Sequence, residues 1–276
     1  MLTATVLALT AAVLHAGWNL AVKQTPHERF VALWAQFGFG AIIAAIALIV
    51  IGGMASAGWK WAVLSGCIHL PYIVFLALAY NHGDFSQVYP IARGGGALLA
   101  AIGGIALLGD VVTSWGVLAI LVIATGLVLL AGRARGPSVL MAAMVALTIG
   151  AYTLSDSKGA RVTDDLGYGF ATAMMTAIPV TIYGLTTGRL PALRTAVRVD
   201  WRRFIIAGTA SLVTYTLVLV AVRYASVGYV AALRESSVVI AAIAGWRFLG
   251  ERHSRRRLGA SAVVLVGLVL LVTLGR

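Results

Sequence analysis

The stretch Gly126-Leu127-Val128-Leu129-Leu130 recurs as Gly267-Leu268-Val269-Leu270-Leu271, 141 positions later. Leu107-Leu108-Gly109-Asp110 returns at the same offset as Phe248-Leu249-Gly250-Glu251, and Arg93 returns as Arg234. Three landmarks in one register, with no gap across two apolar runs, mark an internal duplication. Upstream the register loosens. Tyr80 aligns with Tyr224 after a three-residue gap, and Ala16-Gly17-Trp18-Asn19 corresponds to Gly150-Ala151-Tyr152-Thr153. The chain therefore reads as two units, residues 1–135 and 136–276.

Each unit is too apolar for water. Of 276 residues, 61% are hydrophobic and 11% charged, with a mean hydropathy of +0.96. Soluble domains run at about 45–50% apolar and about 25% charged, so lipid must cover the excess. A spanning helix takes about 20 mostly apolar residues. Turn and charge punctuation predicts spans near 2–22, 30–53, 60–80, 85–108, 115–132, 139–156, 167–187, 203–222, 228–249 and 258–275. Five spans per unit is odd, so the second unit enters the membrane from the opposite side. The expected fold is an all-α, polytopic membrane protein: ten transmembrane helices in two inverted five-helix repeats around a central cavity. Inverted repeats of this kind are a transporter architecture, with the site near the bilayer midplane at the repeat interface. The first apolar run lacks a basic segment before it and reads as a span that stays in place rather than a signal peptide.

Several function classes drop out. The net charge of +12 comes from arginines in short loops between apolar runs, which fits cytoplasmic loops and anionic lipid better than nucleic acid. Counting Lys and Arg over alternate loops gives 13 against 5, which predicts both termini outside. The five histidines form no HExxH pattern and no Cys/His cluster, so neither metal nor cofactor is expected. Cys67, the single cysteine, reads as core packing. No Walker motif appears, so ATP does not drive the protein directly. The intramembrane acids are too few and too isolated for an enzyme.

Taken together, Ala16-Gly17-Trp18-Asn19 with Lys23, Ala79-Tyr80 with Gly83-Asp84-Phe85-Ser86, Tyr89-Pro90-Ile91-Ala92-Arg93-Gly94 and the Leu-Gly-Asp/Glu motif closing spans four and nine form a pattern that resembles the EamA-type ten-helix transporters of the drug/metabolite transporter superfamily. The resemblance covers essentially the whole chain. It implies a cavity lined by spans 1, 3, 4, 6, 8 and 9, with spans 5 and 10 peripheral. It also implies cytoplasmic termini, against the charge count.

Charges deep in a membrane are costly and each needs a reason. Arg93 and Arg234 hold symmetric places, and two guanidiniums could grip a carboxylate, phosphonate or sulfonate. The competing reading has Arg93 pairing with Glu235 or Asp84 as a structural lock. Pro90 could open the helix before Arg93, and Gly94, Gly95 and Gly96 could allow close helix approach or unwinding. Glu235 is also a candidate proton-coupling group, because burial and Arg234 act on its ionisation in opposite senses. Asp156 reads as an interfacial partner of Lys158.

His15, Trp18 and Asn19 share one face of span 1 at i, i+3 and i+4. His69 and Tyr72 flank Pro71 in span 3, with Tyr80 farther along. Tyr89, Tyr152, Tyr215 and Ser237 complete the candidate substrate-binding set. Trp34, Trp59, Trp61, Trp115 and Trp201 read as interface anchors. The expected function is secondary transport of a small anionic or zwitterionic metabolite, such as an organic acid or amino-acid-like compound. It would work by alternating access, exchange or proton coupling, in the cell membrane, as monomer or homodimer. The alternative is a flippase for lipid or amphipathic compounds, or an assembly subunit of the same fold.

Overall fold

The computed structural model describes the backbone outside residues 24, 83–84, 132–135, 238, 241–254 and 275–276, and the side chains outside 19–24, 80–90, 130–135, 238, 241–258, 261 and 275–276. In hydrocarbon only a helix satisfies its own backbone groups within one segment, and the apolar runs fold accordingly. The helices are α1 (Leu2–Lys23), α2 (Arg29–Val50), α3 (Trp59–His82, preceded by a 3-10 turn at Ser56–Gly58), α4 (Phe85–Leu108) and α5 (Ser114–Ala131). They continue as α6 (Pro137–Thr163), α7 (Gly167–Thr186), α8 (Leu190–Tyr224), α9 (Val227–Arg234) and α10 (Arg255–Thr273). No strand occurs among the described residues.

Six described stretches are long and apolar enough to cross a membrane: Arg29–Val50, Ser56–Ala79, Ile91–Leu108, Pro137–Thr163, Gly167–Thr186 and Leu190–Tyr224. Leu2–Trp18, Ser114–Leu129 and Ala262–Thr273 are shorter apolar helices. Large apolar side chains such as Val6, Ile46, Ile49, Val128, Ile206 and Val269 stand on the outside. In a multi-pass membrane protein that outer surface faces lipid.

Small residues set how closely the helices approach. Without a hydrophobic drive between helices in lipid, packing depends on close van der Waals fit. A Cβ at Gly94 would lie 2.9 Å from Leu127 Cβ on α5, one at Gly95 2.8 Å from Ala146 Cβ, and one at Gly96 2.4 Å from Ile149 Cγ2, the last two on α6. The glycine run thus serves close approach, and α4 stays helical through Pro90 and the run. The repeated stretches of α5 and α10 pack on each other. A Cβ at Gly126 would meet Val264 N at 2.9 Å and Ala260 O at 3.1 Å, and one at Gly267 would meet Ile123 N at 3.0 Å and Ala119 O at 3.2 Å.

The Leu-Gly-Asp motif has a structural task. Gly109 adopts φ +71°, a left-handed conformation that favours glycine, and the chain turns there to bring Asp110 back over the helix ends. Arg161 Nη1 donates to Asp110 Oδ1 at 2.7 Å, and the Val227 N–H at the start of α9 donates to Oδ2 at 2.7 Å. Arg161 also donates to the carbonyls of Val222 (2.9 Å) and Ala225 (3.3 Å) at the end of α8. One carboxylate and one guanidinium therefore gather the ends of α4, α6, α8 and α9. Each satisfies groups that a helix terminus leaves open.

Three expectations change. The connecting segment before span 8 is itself helical from Leu190 and kinks at Asp200 (φ −121°, ψ 26°), where His27 Nε2 lies 2.7 Å from Asp200 Oδ2. Leu193, Ala196 and Val197 face the core while Arg194 and Arg198 are exposed, the amphipathic pattern of a helix lying along an interface. Trp34 is no interface anchor. It is buried in the second turn of α2, where its indole donates to Thr181 Oγ1 at 3.0 Å and its ring lies over Gly184. Cys67 is exposed, because Ser65 and His69 take the inward face of that turn of α3.

Candidate substrate cavity

Helix approach places a cavity inside the bundle, with aromatic and polar side chains in its wall. Gly40 of α2 packs on Gly208 of α8, where a Cβ on Gly208 would meet Gln36 O at 2.6 Å and Gly40 N at 2.9 Å. Beside this crossing lies a cavity that is partly open to the outside. Among the described residues, α1 lines it with His15 and Trp18, α3 with His69 and Tyr72, α6 with Tyr152, α8 with Thr214 and Tyr215, and α9 with Arg234. Helices α2 and α7 contribute Gln36, Thr172 and Thr176, whereas no described α4 residue reaches it. The wall thus includes two helices beyond those that the family resemblance implied.

The aromatic part of the wall is one connected cluster. His69 stacks on Tyr152, with ring centroids 4.1 Å apart and planes at 26°. Tyr72 meets Tyr152 edge-on at 5.4 Å and His69 at 5.9 Å, and Tyr215 approaches the same two rings at 6.2 and 6.0 Å. On α1, His15 and Trp18 form a T-shaped pair at 4.8 Å. His69 Nδ1 lies 2.8 Å from the Ser65 carbonyl oxygen, one turn back. Only a protonated Nδ1 can hydrogen-bond to a carbonyl, so the neutral ring keeps Nε2 as an acceptor.

The charged residues separate into two roles. Arg93 Nη2 donates to Glu235 Oε1 at 2.7 Å, with both side chains buried. Neither lines the cavity. Arg234 is 5% exposed and does line it, and its Nε has no hydrogen-bond partner. Tyr152 lies within electrostatic reach of Arg93, Arg234, Glu235 and Asp156, and His15 within reach of both arginines. The local backbone is irregular at this point. Glu235 follows the last residue of α9, and its N–H bonds to Ala232 O at 3.0 Å in place of an i→i−4 partner.

Asp156 is not at an interface. Helix α6 runs on to Thr163, so Asp156 is fully buried mid-helix while Lys158, two residues on, points outward and is exposed. Residues at i and i+2 of a helix do not face each other. The carboxylate instead accepts hydrogen bonds from Ser65 Oγ (2.8 Å), Tyr168 Oη (2.9 Å) and Tyr215 Oη.

Of the predicted site residues, His15, Trp18, His69, Tyr72, Tyr152, Tyr215 and Arg234 converge on the cavity. Arg93, Glu235 and Ser237 are buried behind its wall. The side chains of Asn19, Tyr80, Tyr89 and Asp84, and the whole of Glu251, lie outside the described residues. Sequence reasoning missed Gln36, whose Oε1 and Nε2 are both buried without partners, and Thr172 and Thr176. One amide in an otherwise apolar span, and two threonines spaced i, i+4, were the available signals.

The model of the EamA-like transporter family matches residues 136–273. A solved crystal structure that is 19% identical superposes with a TM-score of 0.74 over 99% of this chain and 98% of that one, a likeness of fold. No curated protein matches the sequence. A helical bundle of membrane-spanning length, a cavity inside it and a family match over half of the chain lead to one assignment: the chain belongs to the EamA-like transporter family, of the drug/metabolite transporter superfamily.

Proposed function

We propose that this protein carries a small carboxylate-bearing metabolite, anionic or zwitterionic, across the cell membrane by alternating access. Arg234 is the group that grips the carboxylate. The observation that carries this reading is the guanidinium itself: buried in the cavity wall, with an unpartnered Nε, while the neighbouring Glu235 is engaged by Arg93. A buried cation with no ion pair among the described residues is costly, and an anionic group entering the cavity relieves that cost. Trp18 Nε1, both polar atoms of Gln36 and Thr214 Oγ1 are further buried, unpartnered groups in the same wall. They offer donors and acceptors to the rest of a polar solute. The aromatic cluster gives a surface for its carbon skeleton or its ammonium group.

Alternating access fits a fold of ten helices in two inverted repeats, residues 1–135 and 136–276. Two observations support that division. The family match begins at residue 136. The glycine contacts between α5 and α10 are also reciprocal, because Gly126 meets Val264 and Ala260 while Gly267 meets Ile123 and Ala119. These are the same pairs exchanged through the 141-residue offset, as a two-fold relation between the repeats requires. The pairing of Arg93 with Glu235 breaks the symmetry, since Glu235 corresponds to Gly94. One cavity arginine is left without a counter-ion among the described residues.

The test is an uptake screen in proteoliposomes over labelled amino acids, dicarboxylates and phosphonates, with Arg234→Ala beside wild type. Uptake of a carboxylate compound that Arg234→Ala abolishes is the expected result. Normal transport by the variant would refute the assignment.

A further inference from the structure

We propose that Asp156 is a proton-carrying group, loaded and emptied through the cavity wall, so that proton movement accompanies substrate movement. The proposal rests on the transporter reading above. Its basis is the environment of Asp156. The carboxylate is 0% exposed, and its three partners, Ser65 on α3, Tyr168 on α7 and Tyr215 on α8, are all neutral hydroxyls. No ion pair of Asp156 occurs among the described residues, whereas Glu235 is held by Arg93. A hydroxyl can both donate and accept. The same cage therefore serves the carboxylate, which accepts three bonds, and the acid, whose own O–H turns to one hydroxyl oxygen. An arginine partner would fix the ionised form; three hydroxyls do not.

Two hydrogen-bonded routes lead from the cavity to this group. Tyr215 lines the cavity and bonds directly to Oδ2. His69 also lines it, and its Nδ1 lies 3.2 Å from Ser65 Oγ, which in turn lies 2.8 Å from Oδ2. Along the first route a proton arriving at the Tyr215 oxygen from the cavity is matched by the tyrosine's own proton passing to Asp156. The carboxylate becomes the acid and the tyrosine stays neutral. The titratable neighbours are His69 from α3, Tyr168 from α7, Tyr215 from α8, and Tyr152 one turn back on α6. Beyond Tyr152, Arg93 of α4 and Arg234 and Glu235 of α9 act on that same tyrosine.

The arrangement also supplies a coupling device. Ionised, Asp156 ties α6 to three other helices. Protonation turns one acceptor into a donor and rearranges those ties, and one of the three partners, Tyr215, lines the cavity.

Infrared difference spectroscopy between acid and alkaline pH, on the purified full chain without ligand, reads the carboxyl directly. A titrating carboxylic-acid band that is lost in Asp156→Asn, retained in Glu235→Gln and shifted in Tyr215→Phe supports the proposal. Absence of the band in wild type, or its persistence in Asp156→Asn, overturns it. Should Asp156→Asn fail to fold, a band unmoved by Tyr215→Phe overturns it equally.

In proteoliposomes loaded with a pH-sensitive dye, L-glutamate, L-alanine and succinate serve as probes. Wild type is expected to accumulate the transported probe on an imposed pH gradient. Asp156→Asn should still exchange labelled for unlabelled probe, but its inside-to-outside ratio should fall to equality. Accumulation by Asp156→Asn at the wild-type level refutes coupling through this residue. If wild type transports none of the probes, the substrate reading fails, and the infrared result still decides whether Asp156 carries a proton.

Discussion

The Arg93–Glu235 pair gives a stability prediction that follows from its geometry. The two groups meet at 2.7 Å with side chains 7% and 1% exposed. Removing one partner of a buried ion pair costs about 3–5 kcal/mol, whereas replacing both with apolar groups of similar volume is close to neutral. The two single changes are not equivalent here. Glu235→Ala leaves the guanidiniums of Arg93 and Arg234, which repel each other, without the carboxylate that acts on both. Arg93→Met leaves Glu235 within the field of Arg234. The order of damage is therefore Glu235→Ala worse than Arg93→Met, with the double variant milder than the sum. For chains of 150–250 residues a loss of 1 kcal/mol lowers the melting temperature by about 2–4 °C, so the worse single variant should melt roughly 6–20 °C below wild type. Thermal denaturation in one detergent at one scan rate provides the comparison, because membrane proteins commonly unfold irreversibly. Additive losses in the double variant, or Arg93→Met as the more damaging change, would refute the account of a paired arginine beside one that has no ion pair among the described residues.

Gly126→Ala and Gly267→Ala should each cost about 1–3 kcal/mol by overpacking the α5–α10 contact. Because both push the same two helices apart, their combined effect should fall short of the sum, which a cycle of melting temperatures measures. Asp110→Ala should remove the acceptor of Arg161 and of the α9 N-terminus and lower stability by about 1–3 kcal/mol. If Arg161→Ala added its full cost on top, the two would not act as one clamp. Trp34→Phe should lose only the bond to Thr181, about 0.5–1.5 kcal/mol, with aromatic packing retained.

Much of the architecture was legible in the sequence because the bilayer imposes length and apolarity on each span, and because Gly126/Gly267 and Arg93/Arg234 stand at one offset of 141 residues. The wall of the cavity was less legible. His15 and Trp18 could be found because their helical spacing puts them on one face, and His69 and Tyr72 because they flank Pro71. Gln36 carried no motif, and its role comes from the Gly40–Gly208 crossing, a contact between residues far apart in the chain. Asp156 was assigned to Lys158 by proximity in sequence, but a helix turns residues two apart away from each other. Its three hydroxyl partners come from three other helices, and no local pattern announces them. Trp34 was placed at an interface by its distance from the span end, yet Gly184 leaves room for its ring inside the bundle.

The central claim is that Arg234 recognises a carboxylate in the cavity. The most direct measurement is the affinity of purified wild type and Arg234→Gln for a transported carboxylate and for its neutral amide analogue, by titration calorimetry. Wild type should favour the carboxylate by roughly 10–150-fold, the value of a charge-assisted hydrogen bond of about 1.5–3 kcal/mol, and Arg234→Gln should lose that preference. Equal affinity of wild type for acid and amide, or an undiminished preference in Arg234→Gln, would contradict the account.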